Sequence, residues 1–464
     1  MKRRIAEETV LFISILKWFI LATLIGIIVG FATMIFLKLL SWGLAFSGKC
    51  PYYFLLLPLA FFLSSLLIKY LAPDAKGHGT EKVIEAVHRS SGKIKAAVVP
   101  VKLVATIITI ALGGSAGKEG PCAQIGAGLS SIFADIFKFD DHDRRKLVIC
   151  GISAGFASVF GTPIAGALFG VEVLFVGSVL YDVLLPSFIA GVTSYHVSNA
   201  LGISYFYHPL HFVPQFSEFF FVQICIAGVF FGICALLLIE TLHLGEYLSK
   251  KLKLWEPLKG IVGGAVLVAL TFLVSKQYLG LGLNTIESCL QGQIVPWYAS
   301  FAKMIFTSIT LGFGGSGGIV TPIFFIGATA GSLYASWAGL DHATLSAIGF
   351  VAVLAGAANT PIAASVMAIE VFGPQIAPYA AVACVISFLM TGHRSVYPSQ
   401  VLLVKKSPSL DVNVGHEMHD VKAVLNLRKQ SWSKSFKAVY NFIKGRGAML
   451  FLVETPQGSP AIFI

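Results

Sequence analysis

The chain has 464 residues, of which 56% are hydrophobic and only 12% charged, and its mean hydropathy is +0.80. A soluble domain carries about twice that charged fraction, so the composition excludes an ordinary soluble protein and predicts an integral membrane protein. The net charge of +11 is expected from basic residues in cytoplasmic loops, and no aromatic-basic surface indicates a nucleic-acid partner.

The N-terminal segment begins with Lys2, Arg3 and Arg4 and continues into a long apolar run. This run contains Lys17, is too long for the apolar region of a signal peptide, and shows no small-residue cleavage site. We therefore predict a first membrane helix with its N-terminus in the cytoplasm, in a multi-pass protein of the cell (inner) membrane whose C-terminus is also cytoplasmic.

Further apolar segments follow along the chain. Together with the first they lie near residues 10–40, 52–71, 96–113, 147–180, 182–201, 217–241, 259–283, 300–312, 319–340 and 345–392. A full crossing takes about 20 residues, but several segments are longer or shorter, and Gly or Pro interrupts many of them. This unevenness predicts tilted, broken and half-length helices within one large membrane domain.

Two motifs occur twice. "GGSAGKEGPCAQIGA" begins at Gly113 and "GGSGGIVTPIFFIGA" at Gly314, an offset of 201 residues. "AGFASVFGTPIAGALFGVE" ends at Glu172 and "VLAGAANTPIAASVMAIE" ends at Glu370, an offset of 198. The same motifs in the same order indicate an internal duplication, with halves at about residues 15–200 and 217–405.

Glycine-broken helices at corresponding places in two repeats point to a transport site near the bilayer midplane. Helix N-termini carry free N–H groups and the positive end of the helix dipole, and such ends bind anions. Glycine also lets the backbone approach an ion closely. The alternative, that the glycines only permit close helix packing, does not explain the proline that follows each cluster or the Lys118–Glu119 pair inside one of them. The pattern therefore favours an anion pathway.

At several motifs the chain resembles the CLC family of chloride channels and proton-coupled chloride exchangers. The resemblance spans about residues 15–405, and Lys102 matches a family lysine shortly before the "GKEGP" motif at 117–121. The motifs are "KGHGT" at 76–80, which stands where the family has GSGIP, "GKEGP" at 117–121, "GGIVTP" at 317–322 and "VYPS" at 396–399. The resemblance implies an all-α, inverted-repeat bundle of tilted and broken transmembrane helices, assembled as a homodimer with one pore per subunit.

The resemblance also implies a central anion site. The anion would be held by the backbone N–H groups of Ile319 and Val320, by the hydroxyl of Tyr397, and by the first motif at His78 and Gly79. His78 stands where the family has a serine that helps set chloride selectivity, and Val320 replaces the usual phenylalanine, which makes the pore lining less bulky.

An outer anion site is implied near Lys118 and Gly120, where the Glu119 carboxylate would compete with the anion and act as the gate. A carboxylate is favoured at a helix N-terminus, and its protonation or displacement would open the path. The alternative is a simple N-terminal cap. The repeat partner of Glu119 is Val320, so the duplicated structure does not need this carboxylate.

Proton coupling depends on a second acid. The exchangers of the family carry a glutamate directly after the position of Glu172, and this chain has Val173 there, which favours channel-like conduction. Glu172 and its partner Glu370 are interpreted as structural, with a proton relay through Glu172 kept as the alternative. Glu81 falls where the family motif has proline.

The sequence therefore predicts transport of chloride or a similar small inorganic anion, channel-like or weakly proton-coupled; the alternative is a proton-coupled chloride or fluoride antiporter. An enzyme is not indicated, because the histidines lack HExxH spacing. The seven cysteines show no CxxC and no Cys/His ligand spacing, so we expect no metal, cofactor or disulfide framework.

From residue 406 the chain is more polar and basic. The stretches "VGHEMHDVKAV" and "GAMLFLVETPQGSPAIFI" weakly resemble the start of a CBS domain, with a strand, a helix and a hairpin that turns at "PQG". We expect residues 406–464 to form a small cytoplasmic appendage, separate from the transmembrane domain at residues 1–405.

Overall fold

The structure of the chain is a computed structural model, which describes residues 2–205, 207–210, 217–407, 410–411, 414–418, 424–425, 451–454 and 460–463. Within these residues the chain forms sixteen α-helices and three short pairs of β-strands. The predicted all-α membrane fold is therefore confirmed.

The helices form two series of eight. The first series is α1 (Lys2–Ser47), α2 (Leu57–Leu71), α3 (Thr80–Arg89), α4 (Val98–Ala111), α5 (Glu119–Ile136), α6 (Asp141–Phe160), α7 (Pro163–Glu172) and α8 (Tyr181–Ala200). The second is α9 (Glu218–Lys251), α10 (Glu256–Leu273), α11 (Leu283–Leu290), α12 (Ala299–Gly312), α13 (Val320–Ala338), α14 (His342–Ala358), α15 (Pro361–Phe372) and α16 (Ala377–Met390). Helices α4 and α12 both have 14 residues, and α5 and α13 have 18 and 19, as an internal duplication predicts.

The repeated motifs set the same helix starts in both halves. Before α6, the Asp140 carboxylate accepts a hydrogen bond from the Asp143 N–H at 2.7 Å. Before α14, the Asp341 carboxylate accepts one from the Thr344 N–H, also at 2.7 Å. A side-chain oxygen at this position satisfies an N–H that has no partner inside the helix, so each half starts its helix in the same way.

Two segments predicted as continuous apolar runs are divided. The run at 147–180 contains α6 and α7, and the run at 345–392 contains α14, α15 and α16. The first break in each follows from a Thr-Pro pair, because proline lacks an N–H and disfavours helical geometry in the residue before it. Among the described residues, four helical segments are long and apolar enough to cross a membrane: Glu7–Ser47, Tyr53–Leu71, Glu218–Lys251 and Glu256–Leu273.

The broken helices lie at the centre of the helical unit. Every residue of α14 from Thr344 to Ala358 is buried, as expected for a helix surrounded by other helices. In contrast, α1 exposes large apolar side chains, with Phe12 66% and Phe19 53% exposed. In a membrane protein such surfaces face lipid or another subunit.

The two halves are joined by exchanged carboxylate caps. Glu172, the last residue of α7, accepts hydrogen bonds from the N–H groups of Ile362 (3.0 Å) and Ala363 (2.8 Å) at the start of α15. In return, Glu370 of α15 accepts two backbone N–H bonds at the start of α7, at 3.0 and 2.7 Å. Both glutamates therefore cap a helix of the other half, which supports their interpretation as structural residues; the alternative of a proton relay through Glu172 stays a prediction.

A short parallel pairing of β1 (Phe175–Val176) with β2 (Val401–Leu402) connects the end of α7 to the segment after α16. These strands belong to one compact unit, which comprises Met1–Val404 and Val414–Val421.

A second compact unit comprises Lys405–Asn413 and Lys422–Ile464. In it, β3 (Leu410–Asp411) pairs with β4 (Val424–Leu425), and β5 (Phe451–Glu454) pairs with β6 (Pro460–Phe463), both antiparallel. The antiparallel pairing of β5 with β6 is the arrangement that the predicted hairpin requires. The "PQG" turn and the predicted helix lie outside the described residues.

Candidate functional site

The starts of α5 and α13 meet in the middle of the helical unit. The N–H of Gly117 donates to the carbonyl oxygen of Gly318 at 2.7 Å, and the N–H of Gly318 donates back to Gly117 at 2.6 Å. The preceding serine of each loop is held from the other half, since Ser115 N–H donates to Thr310 Oγ1 and Ser316 N–H to Thr109 Oγ1, both at 3.0 Å. The duplicated motifs thus bring two helix N-termini together.

The Glu119 side chain is fully buried at this junction. Its carboxylate accepts a hydrogen bond from the N–H of Thr321 at 3.1 Å and another from the Thr321 hydroxyl. Thr321 is the second residue of α13, so the carboxylate occupies the N-terminus of the helix from the opposite half. An inorganic anion would be stabilised at the same place by the same N–H groups.

His78 and Gly79 come to the same junction from the loop before α3. Gly79 has φ of +89°, and a Cβ atom on it would lie 2.5 Å from the Gly120 carbonyl oxygen. Only glycine fits both conditions. The loop is anchored by buried Lys102, whose Nζ donates to the carbonyl oxygens of Ala75 (3.2 Å) and Gly77 (2.6 Å).

Three buried polar atoms at the inner end of the junction lack hydrogen-bond partners of ordinary geometry. They are His78 Nδ1, Thr80 Oγ1 and the Tyr397 hydroxyl oxygen. The His78 and Tyr397 rings are 5.6 Å apart between centroids, and the Thr80 hydroxyl faces that of Tyr397. Buried polar atoms are normally paired, and these three can supply donors to a dehydrated anion.

Tyr397 is held in place by its own loop and by α3. Its N–H donates to Ser395 Oγ at 2.9 Å, and Ser395 Oγ donates to the side-chain oxygen of Gln400 at 2.6 Å. Two residues beyond the tyrosine, the N–H and hydroxyl of Ser399 both donate to one carboxylate oxygen of Glu81. The sequence reasoning noted Glu81 as a departure from the family motif but missed this contact.

The remaining predicted residues lie close by. Lys118 and Ile319 occupy the position before the first residue of α5 and α13, and Val320 is the first residue of α13. Val173 is fully buried, and its carbonyl oxygen accepts a hydrogen bond from Gln400 Nε2 at 2.8 Å. The predicted site residues therefore all lie in or beside one junction, with Val173 behind the Tyr397 loop.

An open cavity of about 420 Å³ leads to this junction, and His78 and Glu81 line its inner end. Five lysines also line it: Lys69, Lys76, Lys82, Lys250 and Lys259. Three acids, Glu81, Glu246 and Glu256, line the same cavity, so five lysines against three acids leave a small excess of positive charge, which favours anions.

Among the described residues, one group of side chains could approach a metal ion, at the exposed start of α6. Ligand atoms of Asp140, His142 and Asp143 lie within 4.8 Å of one another. Both aspartates already have partners: Asp140 caps α6, and Asp143 pairs with Lys17. The Asp143 N–H lowers the pKa of the Asp140 carboxyl, as expected for a cap, and the group lies apart from the helix junction.

The fold defines a class of protein, a multi-pass membrane protein that transports small anions. The family model for the voltage gated chloride channel matches residues 59–392, and the chain belongs to that family. The resemblance to CLC channels and exchangers is confirmed. This family is one of channels and transporters rather than enzymes.

The chain is similar to one named relative and to two solved structures. The chain is 36% identical over 426 residues to a chloride/fluoride channel protein of Pseudomonas syringae pv. tomato, covering 90% of this chain and 91% of that protein. The crystal structure of a CLC-type fluoride/proton antiporter is similar, with a TM-score of 0.79 and 28% identity over 83% of this chain and 98% of that one. A slow cyanobacterial Cl⁻/H⁺ antiporter, with a TM-score of 0.70 and 20% identity over 81% and 94% of the two chains, shares the fold.

Proposed function

We propose that this anion transporter carries chloride or fluoride through a pore gated by Glu119. The observation that carries the proposal is the hydrogen bonding of the buried Glu119 carboxylate to the N–H and hydroxyl of Thr321. The carboxylate occupies a place that suits an anion, so the two compete for the same donors.

The gate opens when Glu119 leaves these donors. A protonated carboxyl carries no charge, so its attraction to the α13 N-terminus weakens, and an arriving anion takes its place. Further in, the anion is held by the N–H groups of Ile319 and Val320 and by the polar side chains of His78 and Tyr397. Gly79, Lys118 and Gly120 keep the path narrow and favourable to negative charge.

Conduction is channel-like or weakly coupled to protons in this proposal, because Val173 supplies no acid behind the Tyr397 loop. Proton-coupled antiport is the second candidate, and the similarity to a CLC-type fluoride/proton antiporter favours it. In liposomes with a chloride gradient and a pH-sensitive dye, the first mode predicts chloride efflux with little proton uptake. A fixed proton-to-anion ratio with uphill proton movement would select the second.

The gate itself is tested by Glu119→Gln, which mimics the protonated carboxyl. Hydrogen bonds to a charged group are worth about 1.5–3 kcal/mol, so losing the charge is expected to raise the open population by about tenfold or more and to flatten the pH dependence of efflux. Efflux with the parent's rate and pH profile would contradict the proposed gate.

Orientation and assembly are part of the same proposal. The lysines of the cavity and the basic N-terminal sequence both support a cytoplasmic position for the cavity mouth and the N-terminus in the inner membrane. Residues 406–464 would be cytoplasmic as well. A homodimer would bury apolar side chains of α8 and α16 that are otherwise exposed, including Leu185 (47%) and Leu389 (49%). Cysteines introduced at 183–200 and 375–390 are expected to cross-link into a dimer in detergent, whereas a monomer by light scattering would contradict the homodimer.

A further inference from the structure

Glu81, at the start of α3, joins the open cavity to the tyrosine of the anion site. Its side chain lines the inner end of the cavity. One carboxylate oxygen, Oε1, accepts two hydrogen bonds from Ser399. The other, Oε2, is shielded from solvent and has no hydrogen-bond partner. A carboxylate oxygen left without a donor is a ready acceptor for a proton.

The helix that carries Glu81 is not one of the apolar membrane helices. Burial raises the pKa of Glu81 to about 7, against the opposing effect of the two hydrogen bonds from Ser399. Both protonation states are therefore populated near neutral pH.

The Tyr397 hydroxyl is the group that can link this carboxylate to the gate. Its hydroxyl is buried without a hydrogen-bond partner of ordinary geometry, and it lies within electrostatic range of both Glu119 and Glu81. A hydroxyl can accept one proton while it donates another, so Tyr397 can connect two acids that do not touch each other.

Other charged and titratable groups surround Glu81. On α3 they are Lys82 and Glu85, and beside it stand His78 and Tyr397. Across the cavity they are Lys69, Lys76, His243, Glu246, Lys250, Glu256 and Lys259. Lys82 pairs with Glu85 at 2.7 Å, Lys250 with Glu246 at 2.8 Å, and Lys76 with Glu256 at 2.8 Å. Among these acids, only Glu81 both lines the cavity and bonds to the Tyr397 loop.

We infer that Glu81 takes up protons from the cavity and delivers them to Glu119. A proton from cavity water binds Oε2 of Glu81. Glu81 then donates it to the Tyr397 hydroxyl, directly or through water, and the hydroxyl's original proton passes on to the Glu119 carboxylate. Glu81 returns to its charged form, Tyr397 is unchanged, and Glu119 becomes neutral and leaves the α13 N-terminus. The inference rests on the proposed Glu119 gate, and it serves channel-like conduction and antiport alike.

Chloride and fluoride efflux from liposomes at symmetric pH between 5 and 8 tests this route with the full chain. A group that titrates near pH 7 changes its protonated population by about tenfold over that range, and the parent is expected to show a comparable change in rate. Glu81→Gln keeps an oxygen for Ser399 but cannot titrate, so it should flatten the profile to less than about twofold. In a Glu119→Gln background, Glu81→Gln should then have no further effect on the profile.

Two matched variants separate titration from structure. Glu85→Gln removes an acid one turn along the same helix, and Ser399→Ala removes the hydroxyl bond but leaves the carboxyl. Glu85→Gln is expected to keep the parent's pH profile. Ser399→Ala removes a hydrogen bond that lowers the pKa of Glu81, so it is expected to keep a pH-dependent profile with its midpoint at higher pH. If Glu81→Gln does not yield a folded, active protein, Glu81→Asp replaces it and should keep a pH-dependent profile with a shifted midpoint.

The inference is overturned if Glu81→Gln keeps the parent's profile while it conducts, or if Glu81→Asp shows an unshifted one. A flat profile in Glu85→Gln or Ser399→Ala would equally reject Glu81 as the titrating group. A parent that conducts no anion, or a Glu119→Gln variant that behaves like the parent, would instead contradict the proposed function.

Discussion

The two halves of the molecule share their supports and differ in their polar chemistry. Lys303 repeats the role of Lys102, since its Nζ donates to the carbonyl oxygens of Tyr278 (3.1 Å) and Gly280 (2.8 Å) before α11. Gly282, like Gly79, precedes its short helix with a positive φ, at 74° and 89°. The fixed loop geometry is thus present twice.

The residues around these supports are not repeated. The loop before α3 supplies His78, Thr80 and Glu81, whereas the corresponding positions around Gly282 are Leu281, Leu283 and Asn284. Likewise Glu119 begins α5, whereas Val320 begins α13. The shared supports account for the repeated residues, so the unmatched polar residues at the junction are the candidates for acting on the anion or proton.

The largest effect, a loss of stability, is expected from replacing either of the two buried lysines, Lys102 and Lys303. Lys102→Met and Lys303→Met each leave two buried loop carbonyls without a donor, and an unsatisfied buried group costs about 1–3 kcal/mol. We expect each variant to lose about 2–4 kcal/mol of stability, measured by the temperature at which the monodisperse peak disappears in detergent.

Comparing the two lysine variants also distinguishes a structural role from a role at the anion site. Only Lys102→Met should change the relative efflux rates of chloride and fluoride at a permissive temperature, because Gly77 leads directly into His78. A similar change in Lys303→Met would show that the second loop also shapes the anion site. If neither variant loses stability, the hydrogen bonds to the loop carbonyls are not important for the fold.

A smaller effect is expected from the exchanged caps. Glu172→Gln and Glu370→Gln each replace charge-assisted hydrogen bonds to two N–H groups by neutral ones, which is expected to cost about 1 kcal/mol in each variant. Their thermal stability should fall equally, and the pH profile of efflux should stay that of the parent. A flattened profile in Glu172→Gln alone would support a proton relay through Glu172.

Sequence repetition and motif order predicted the fold because each motif is visible within a short stretch of sequence. The Gly-rich turns and the Thr-Pro pairs act on their own helix starts, and the two glutamates were visible as repeat partners. The motifs also brought His78, Glu119 and Tyr397 to one site. Pairings across long separations had no such signal, and the bond from Thr321 to Glu119 spans 202 residues.

The Glu81–Ser399 contact illustrates why the rest of the site was missed. Its partners are 318 residues apart, and neither belongs to a repeated motif. Glu81 was visible in the sequence only as an acid where the related motif has proline. Lys303 was available as the repeat partner of Lys102 at the same offset of 201 residues, and a comparison of the two halves position by position would have found it.

The smallest effect, and the one that most sharpens the comparison, is expected at His78, whose counterpart is Leu281. His78 Nδ1 is buried without a hydrogen-bond partner, so the imidazole is free to bond a central anion. Burial lowers the pKa of His78 to about 4, so the ring stays neutral between pH 5 and 8. His78→Ser should change the efflux rates of chloride relative to fluoride, nitrate and bicarbonate by about two- to tenfold, the value of one hydrogen bond.

The efflux of both proteins is compared in a Glu119→Gln background between pH 5 and 8. The gate then does not respond to protons, so any remaining pH dependence of efflux must come from another group. Because His78 is neutral over that range, we expect no residual pH dependence with either residue, and a dependence that His78→Ser removes would contradict the lowered pKa. If both proteins share one anion ranking, His78 does not bond the anion, and the first loop contributes to the site only through its backbone and Glu81.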